Sequence, residues 1–268
     1  MITTYRAAPD IDVISSTASI PGLGNLAINA FVLHGDEPLL VDTGVVREAD
    51  EFMAALETVV DPDALRWIFL SHTDYDHIGS LHRLLDLNAN LRVITTFLGV
   101  GIMGLSTTPL PMDRLYLLNP GERMTVGRRT LTAIKPPVYD NSVSTGFYDD
   151  ASRALFSADC FGALLSDVPE NADDISDAEL RAGQTTWVTV DSPWINTVDR
   201  ASFAAQLSGI RALDPSIVLS GHLPAAPGAM LGRLLDTLAA APDAAPFSGP
   251  DQVALEQMLN AEMAGATP

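Results

Sequence analysis

The most informative stretch of the chain reads Ser71-His72-Thr73-Asp74-Tyr75-Asp76-His77-Ile78-Gly79. It holds four potential metal ligands within six positions. The preceding apolar run, Trp67-Ile68-Phe69-Leu70, predicts a short buried strand, and the leucine spacing after Gly79 predicts a helix. The ligands therefore lie in a tight connection between a strand and a helix, where the backbone is fixed on both sides.

The spacing within this loop suits two metal ions side by side. His72 and Asp74 are two residues apart and can point the same way, whereas Asp76 and His77 can turn toward a neighbouring point. The simpler alternative is a polar loop in which Asp76 caps the following helix.

The loop resembles the H-x-H-x-D-H signature of the metallo-β-lactamase superfamily, with Asp74 in place of the second histidine. An acidic residue there is similar to the oxygen-binding diiron branch, the flavodiiron proteins, where it is commonly Glu. Residues 39–44 resemble the early strand ending in D-T-G, and residues 155–162 resemble the strand with the bridging aspartate. Residues 219–222 resemble the strand that delivers the last histidine. The resemblance covers roughly residues 10 to 225.

The resemblance implies an α/β fold, the αββα four-layer sandwich, with two mixed sheets face to face and the metal site at one edge. We predict one metallo-β-lactamase-like domain over residues 1–241, because 268 residues suit a single α/β domain. Residues 242–268 are predicted as a linker and a final helix at about 251–264. The apolar residues of this helix are expected to dock on the domain or on a second subunit of a homodimer: Leu255, Met258, Leu259 and Met263.

Two further segments carry specific expectations. Residues 163–186 are polar and acidic and are predicted as a surface excursion that is mobile or covers the site. Gly99–Gly104 matches G-x-G-x-x-G after a predicted strand. Pro109 and Pro111 prevent the long helix that a nucleotide site requires, so we interpret the motif as a flexible apolar turn.

Composition excludes several functions. The net charge of −19 argues against nucleic-acid binding, which depends on clustered Lys and Arg. No apolar run reaches the ~18 residues of a membrane span, and the first residues show no secretory signal, so a cytoplasmic protein is expected. The single cysteine, Cys160, excludes an internal disulfide and a cysteine-rich metal site, and it is predicted to be a small buried hydrophobe.

Few histidines are available as ligands. Of the five in the chain, His34 is expected to be exposed and His82 to face away from the site. The remaining three, His72, His77 and His222, are the credible ligands.

The superfamily places another ligand, normally histidine, between the first motif and the bridging aspartate. This chain has no histidine from 83 to 221. Asp140 lies nineteen residues before Asp159, where that ligand belongs. The sequence leaves open whether Asp140 is a ligand or a turn residue that bonds its own backbone.

The resemblance implies two metal positions that share Asp159. The first position has the ligands His72, Asp74, Asp140 and Asp159, and the second has Asp76, His77, Asp159 and His222. Four carboxylates balance two divalent ions, and an oxygen-rich set favours iron, with manganese and zinc as alternatives. Asp42 is expected to accept hydrogen bonds that orient the motif loop.

Three functions are compatible with these residues. The first is a diiron protein that binds or reduces dioxygen or nitric oxide with the help of an external reductase, because no flavin module is visible in this chain. The second is a metal-dependent hydrolase of an ester, thioester, lactone or β-lactam, in which Asp76 positions the nucleophile or transfers its proton. The third is a binding protein with one metal or none, since two histidines of the pattern are replaced. The sequence does not identify the substrate.

Overall fold

Two β-sheets face each other in the structure, a computed structural model that describes residues 2–265 and their side chains as far as residue 260. The first sheet consists, in spatial order, of β1 (Thr3–Ala8), β2 (Ile11–Ile20), β3 (Gly24–Leu33), β4 (Leu39–Val41), β5 (Trp67–Phe69), β6 (Arg92–Thr95) and β7 (Leu115–Leu117). The second consists of β14 (Leu223–Pro227), β13 (Ile217–Ser220), β11 (Ala154–Phe156), β10 (Gly146–Asp149), β9 (Arg129–Ile134) and β8 (Arg123–Val126). A short strand, β12 (Leu164–Leu165), pairs with β3.

Seven helices complete the described part of the chain: α1 (Ala49–Val59), α2 (Leu81–Leu87), α3 (Phe97–Met103), α4 (Asp177–Asp191), α5 (Arg200–Arg211), α6 (Leu231–Ala240) and α7 (Gln252–Gly265). Apolar side chains of α1 and α2 pack on the outer face of the first sheet. Those of α4, α5 and α6 pack on the outer face of the second. The predicted αββα sandwich is confirmed.

Aromatic side chains fill the space between the sheets. Phe147 and Phe156 stack with ring centroids 4.4 Å apart, and Phe31 and Phe69 of the first sheet contact them from the other side. These rings alternate with residues that face the helices, as expected for strands with both faces buried. The shared core fixes the two sheets relative to each other.

Parallel strand pairs bring the functional loops to one edge. Strands β4, β5, β6 and β7 are mutually parallel, as are β11 and β13. The loops that follow β4 and β5 therefore meet those that follow β11 and β13 at the carboxyl ends of the strands. Ligand sites of α/β folds commonly lie at this edge.

Two segment predictions are wrong. Residues 163–186 contain β12 and most of α4, whose Leu180, Trp187 and Val188 are buried. They are an integral part of the second helical layer because the apolar residues recur at helical spacing. Gly99–Gly104 is also helical: α3 includes Gly99 and Gly101, and Thr96 caps it by accepting from the backbone N–H of Gly99 at 3.0 Å.

Only some of the contacts predicted for the C-terminal region are present among the described residues. Pro242 is buried, and Asn196 donates to its carbonyl oxygen at 3.1 Å, so the body extends slightly past residue 241. In α7, Leu255 and Leu259 are exposed and Met258 is half-buried. The side chain of Met263 lies outside the described residues, and docking of α7 stays a prediction. None of the helices in residues 2–265 has the length and apolar character needed to cross a bilayer.

Candidate metal centre

Asp42 organises the loop that follows β5. Its Oδ1 accepts from the backbone N–H of Ser71 at 2.8 Å, and its Oδ2 accepts from the Ser71 hydroxyl at 2.7 Å. Oδ2 also lies 2.9 Å from Nδ1 of His77. Asp42 has a φ of 57°, a left-handed conformation that turns its side chain from the end of β4 toward the neighbouring strand. The predicted orienting role of Asp42 agrees with these contacts.

Gly79 lets the same loop approach the end of β4 closely. Its N–H donates to the carbonyl oxygen of Gly44 at 2.8 Å, and the N–H of Thr43 donates to the carbonyl oxygen of His77 at 2.7 Å. A Cβ on Gly79 would lie 2.4 Å from the Gly44 oxygen. Only a glycine therefore permits this pair of backbone hydrogen bonds.

Three imidazole rings point their Nε2 atoms into one cleft. Nδ1 of His72 lies 3.0 Å from the Ser71 hydroxyl, which gives its own proton to Asp42 and can accept the proton of the imidazole. Nδ1 of His222 lies 2.8 Å from the carbonyl oxygen of Ala27, which can only accept. Hydrogen bonds at Nδ1, including that of His77 to Asp42, leave the Nε2 lone pairs available to a cation.

Asp159 lies at the centre of the three rings. Its carboxylate is 3.2 Å from Nε2 of His72, 3.2 Å from Nε2 of His77 and 3.3 Å from Nε2 of His222. It is 2% exposed, and its Oδ1 has no hydrogen-bond donor among the described residues. Burial opposes the charge of Asp159, but the surrounding imidazoles hold its pKa well below its usual range.

Strained backbone fixes the position of Asp159. The neighbouring Ala158 has a φ of 51° and Phe161 a φ of 73°, conformations that residues with a Cβ rarely adopt. Nε1 of Trp187, on α4, donates to the carbonyl oxygen of Asp159 at 3.2 Å. The backbone that carries the central carboxylate is therefore held from both sides.

Asp76 closes the side of the cleft next to His77 and His222. Its Oδ2 lies 3.5 Å from Nε2 of each ring, and the side chain is 31% exposed. Burial alone would raise the pKa of Asp76, but the close imidazole of His77 and the charge of His222 lower it. An ionised carboxylate therefore faces the opening of the cleft.

Asp74 and Asp140 lie on the opposite side, next to His72. The three residues offer ligand atoms within 4.8 Å of one another. Nδ2 of Asn141 donates to Asp74 at 2.9 Å and joins the loop of Asp140 to the motif loop. Burial and the charge of Asp159 raise the pKa of Asp140 to about 6.

The structure thus brings all seven predicted ligands to one edge of the sandwich: His72, Asp74, Asp76, His77, Asp140, Asp159 and His222. Their spacing fits cations. Donors bound at about 2.1 Å to one ion at tetrahedral or octahedral angles lie about 3.0–3.4 Å apart. The separations of 3.2–3.3 Å around Asp159 fall in this range. That these residues bind metal stays a prediction.

Sequence reasoning missed one acidic residue of this edge. Asp191 is the last residue of α4, and its carboxylate lies within 4.8 Å of those of Asp140 and Asp159. The sequence did contain a signal, because Ser176 and Glu179 form the S-x-x-E pattern of a helix start. Ser176 indeed accepts from the N–H of Glu179 at 3.3 Å. A helix that begins at this cap and stops ahead of Pro193 would end near residue 191.

The remaining histidines and the cysteine lie away from the cleft. Nε2 of His34 lies 2.6 Å from Asp12, so His34 is half-buried in a hydrogen bond and the prediction of an exposed side chain is wrong. His82 is in none of the possible metal-ligand groups of the described residues. Cys160 is fully buried among apolar residues, and burial raises the pKa of its thiol.

Comparison with known proteins agrees with this fold. The chain is 24% identical over 169 residues to rubredoxin-oxygen oxidoreductase of Megalodesulfovibrio gigas, a match that covers 62% of this chain and 41% of the relative. It is 26% identical over 138 residues to a nitric oxide reductase of Moorella thermoacetica, with 52% of this chain and 34% of the relative covered. The chain therefore spans less than half the length of these relatives.

A solved structure and a family profile complete the comparison. A single-site mutant of the flavo di-iron protein of Thermotoga maritima superposes with a TM-score of 0.76 at 21% identity, over 90% of this chain and 61% of that one. The resemblance in fold expected from the sequence is thereby confirmed. The profile of the ODP family beta lactamases matches residues 26–188, more than half of the sequence, and the chain belongs to that family.

Proposed function

We propose that this chain holds two iron ions and binds and reduces dioxygen or nitric oxide. The observation that carries the proposal is the arrangement around Asp159, where three Nε2 atoms lie 3.2–3.3 Å from one buried carboxylate. Nε2 of His77 and Oδ1 of Asp159 are both buried and lack hydrogen-bond partners among the described residues. Unpaired buried polar atoms are costly, and a bound cation would satisfy both.

The chemistry of the donors supports iron. With Asp74 and Asp140 as ligands, the first metal position has one nitrogen donor and otherwise carboxylate oxygen. Such hard ligands favour iron or manganese over zinc. The relatives support the reaction class, because one is named a nitric oxide reductase and the other a rubredoxin-oxygen oxidoreductase. When bound, two ferrous ions would supply electrons to a diatomic gas.

The reactions require electrons and protons that the chain must receive. Reduction of dioxygen to two waters takes four electrons and four protons, and reduction of two nitric oxide molecules to nitrous oxide and water takes two of each. An external donor protein supplies the electrons in this proposal, and rubredoxin, which the name of one relative includes, is the first to test. Asp76 lines the opening through which protons reach the cleft, and its side chain is 31% exposed.

Metal loading under controlled oxygen tests the proposal. The chain is loaded anaerobically with ferrous iron and desalted, and its metal content is measured. We expect about two irons per chain, a ferric charge-transfer band after exposure to air, and consumption of dioxygen or nitric oxide with reduced rubredoxin. Asp159→Asn is expected to lose both ions, because its carboxylate contacts all three imidazoles. Asp86→Asn, which alters an exposed carboxylate on α2, is the matched control.

Two other outcomes contradict the proposal. Colourless, zinc-containing protein that cleaves a chromogenic ester identifies a hydrolase. Fewer than one metal per chain, unchanged by Asp74→Ala, identifies a binding protein in which the cleft has another use.

A further inference from the structure

We propose that Asp191 is an additional ligand of the first metal position, an inference that rests on the proposed two-metal function. The first position then has His72, Asp74, Asp140, Asp159 and Asp191 around it. Asp140, Asp159 and Asp191 each offer a carboxylate oxygen within 4.8 Å of the other two. This set contains the buried carboxylate of Asp159, whose Oδ1 lacks a donor among the described residues.

The last turn of α4 is fixed against the metal centre. Trp187, one turn before Asp191, donates from Nε1 to the carbonyl oxygen of Asp159 at 3.2 Å, and its ring centroid lies 4.8 Å from that of His222. Gly183 permits close packing earlier in the helix, since a Cβ there would lie 2.2 Å from the carbonyl oxygen of Leu164. The position of Asp191 is therefore set by contacts that also set Asp159 and His222.

Local structure does not explain a carboxylate at this place. The C-terminal end of a helix carries partial negative charge and free carbonyl oxygens, so an aspartate neither caps it nor interacts favourably with its dipole. The side chain is half-buried, and the hydrogen bond that it accepts within the described residues comes from the Ser192 hydroxyl at 3.1 Å. Two of its charged neighbours, Asp140 and Asp159, are also acidic, and the imidazole of His222 offsets them only in part.

A cation removes this conflict. Three carboxylates that repel one another become favourable ligands once a divalent ion lies among them.

Metal binding to the full chain tests the role of Asp191. The metal-free wild type, Asp191→Asn and the control Asp86→Asn are titrated anaerobically with Mn²⁺ and Fe²⁺ and counted by elemental analysis. We expect two ions in the wild type and the control. In Asp191→Asn one ion remains at the second position, and affinity at the first falls at least about tenfold, since even residues that only support ligands commonly cost that much.

Thermal unfolding of the metal-free proteins separates a ligand from a structural residue. Asn is nearly isosteric with Asp and relieves the repulsion among the three carboxylates, so metal-free Asp191→Asn should melt at or above the wild-type temperature. A lower melting temperature would assign Asp191 a structural role and overturn the inference. Two ions bound with wild-type affinity in Asp191→Asn would overturn it while leaving the proposed function intact. Failure of the wild type to hold two ions would overturn both.

Discussion

Nδ1 of His77 lies 2.9 Å from Oδ2 of Asp42, and this contact joins the end of β4 to the loop after β5. The carboxylate can only accept, so it holds the imidazole proton on Nδ1 and leaves Nε2 free. Nε2 is the atom that points toward Asp159, at 3.2 Å. Asp42, on the side of the ring away from Asp159, thus determines whether His77 can bind a cation.

Replacing Asp42 by Asn should weaken the second metal position. With its carbonyl oxygen kept on the N–H of Ser71, the amide would present its NH₂ to Nδ1 of His77. The imidazole would then carry its proton on Nε2, where it blocks a cation. We expect metal affinity at the second position to fall by about 10–100-fold, measured by competition with a chromogenic chelator. Asp113→Asn, an exposed carboxylate, should leave affinity unchanged. Wild-type affinity in Asp42→Asn would contradict this role of Asp42.

The single lysine of the chain holds the loop that carries Asp140. Nζ of Lys135 donates to the carbonyl oxygens of Ser142 at 3.0 Å and Ser144 at 2.9 Å. It also lies 3.7 Å from the ring centroid of Tyr139. Burial lowers the pKa of this ammonium to about 8, although Asp140 opposes the shift. The Lys135 ammonium therefore holds this loop through two hydrogen bonds and its contact with the Tyr139 ring.

Lys135→Met should release this loop, because methionine keeps the apolar stem and removes every donor. We expect the free energy of unfolding of the metal-free protein to fall by about 1–3 kcal/mol, the range for lost hydrogen bonds to a charged group. Amide hydrogen exchange in residues 139–145 should accelerate, and Lys135→Arg should retain part of the protection. Equal exchange in Lys135→Met and wild type would contradict this role.

Metal binding should depend strongly on pH. Burial disfavours charge on the imidazoles, but Asp159 outweighs it and raises the pKa of His72 and His77, and that of His222 to about 9. Burial and nearby acidic groups raise the pKa of Asp191 to about 7. Cations must displace protons from all of these groups, so affinity should rise at least about tenfold per pH unit between pH 6 and 8. A flat profile in the competition assay would mean that the titrating groups are not ligands.

The metal-free protein should show the opposite trend. A histidine whose folded pKa lies above its unfolded value stabilises the fold fully below about pH 6.5, and this contribution disappears as the pH rises through the folded pKa. For His222 the loss extends to about pH 9. The raised pKa values of Asp140 and Asp191 also make the folded state less stable as the pH rises, because the folded state binds more protons than the unfolded one. Melting temperatures of chelator-treated protein should therefore fall from pH 6 to pH 9.

The fold could be predicted where a local signal, an apolar strand with a polar end, agreed with the parallel pairing of the strands. The motif loop, the D-T-G strand end and the two later strands each pair a buried apolar run with a polar terminus, and parallel pairing brings such ends together. Asp140 was found only because its position in the resemblance could be counted from Asp159. No periodicity marks it, since its loop is shaped by Lys135 rather than by a strand or helix.

The prediction from the sequence was wrong over residues 163–186, where acidic residues made α4 hard to recognise. Residues 163–186 carry many acidic side chains, and composition suggested solvent exposure. Four of these six acidic residues precede α4, and the two within it, Asp177 and Glu179, lie in its first turn. Leu180, Gln184, Trp187 and Val188 of the same helix are buried. Helical periodicity and the Ser176 cap were the better guides there. Since the end of α4 carries both Trp187 and Asp191, missing this helix also meant missing two residues beside the centre.

Two glycines provide a matched pair for the backbone of the site. Gly79→Ala would place a Cβ 2.4 Å from the Gly44 oxygen and force the motif loop away from β4, at a cost of roughly 1–3 kcal/mol, the usual range for overpacking. Gly101→Ala meets no atom within 4 Å on α3 and should stabilise by about 0.5–1 kcal/mol, because alanine favours a helix. Chemical denaturation of both metal-free variants measures the two effects. Metal content should fall in Gly79→Ala alone, because the displaced loop carries both His72 and His77; equal metal binding in the two variants would show that the cleft tolerates a shift of this loop.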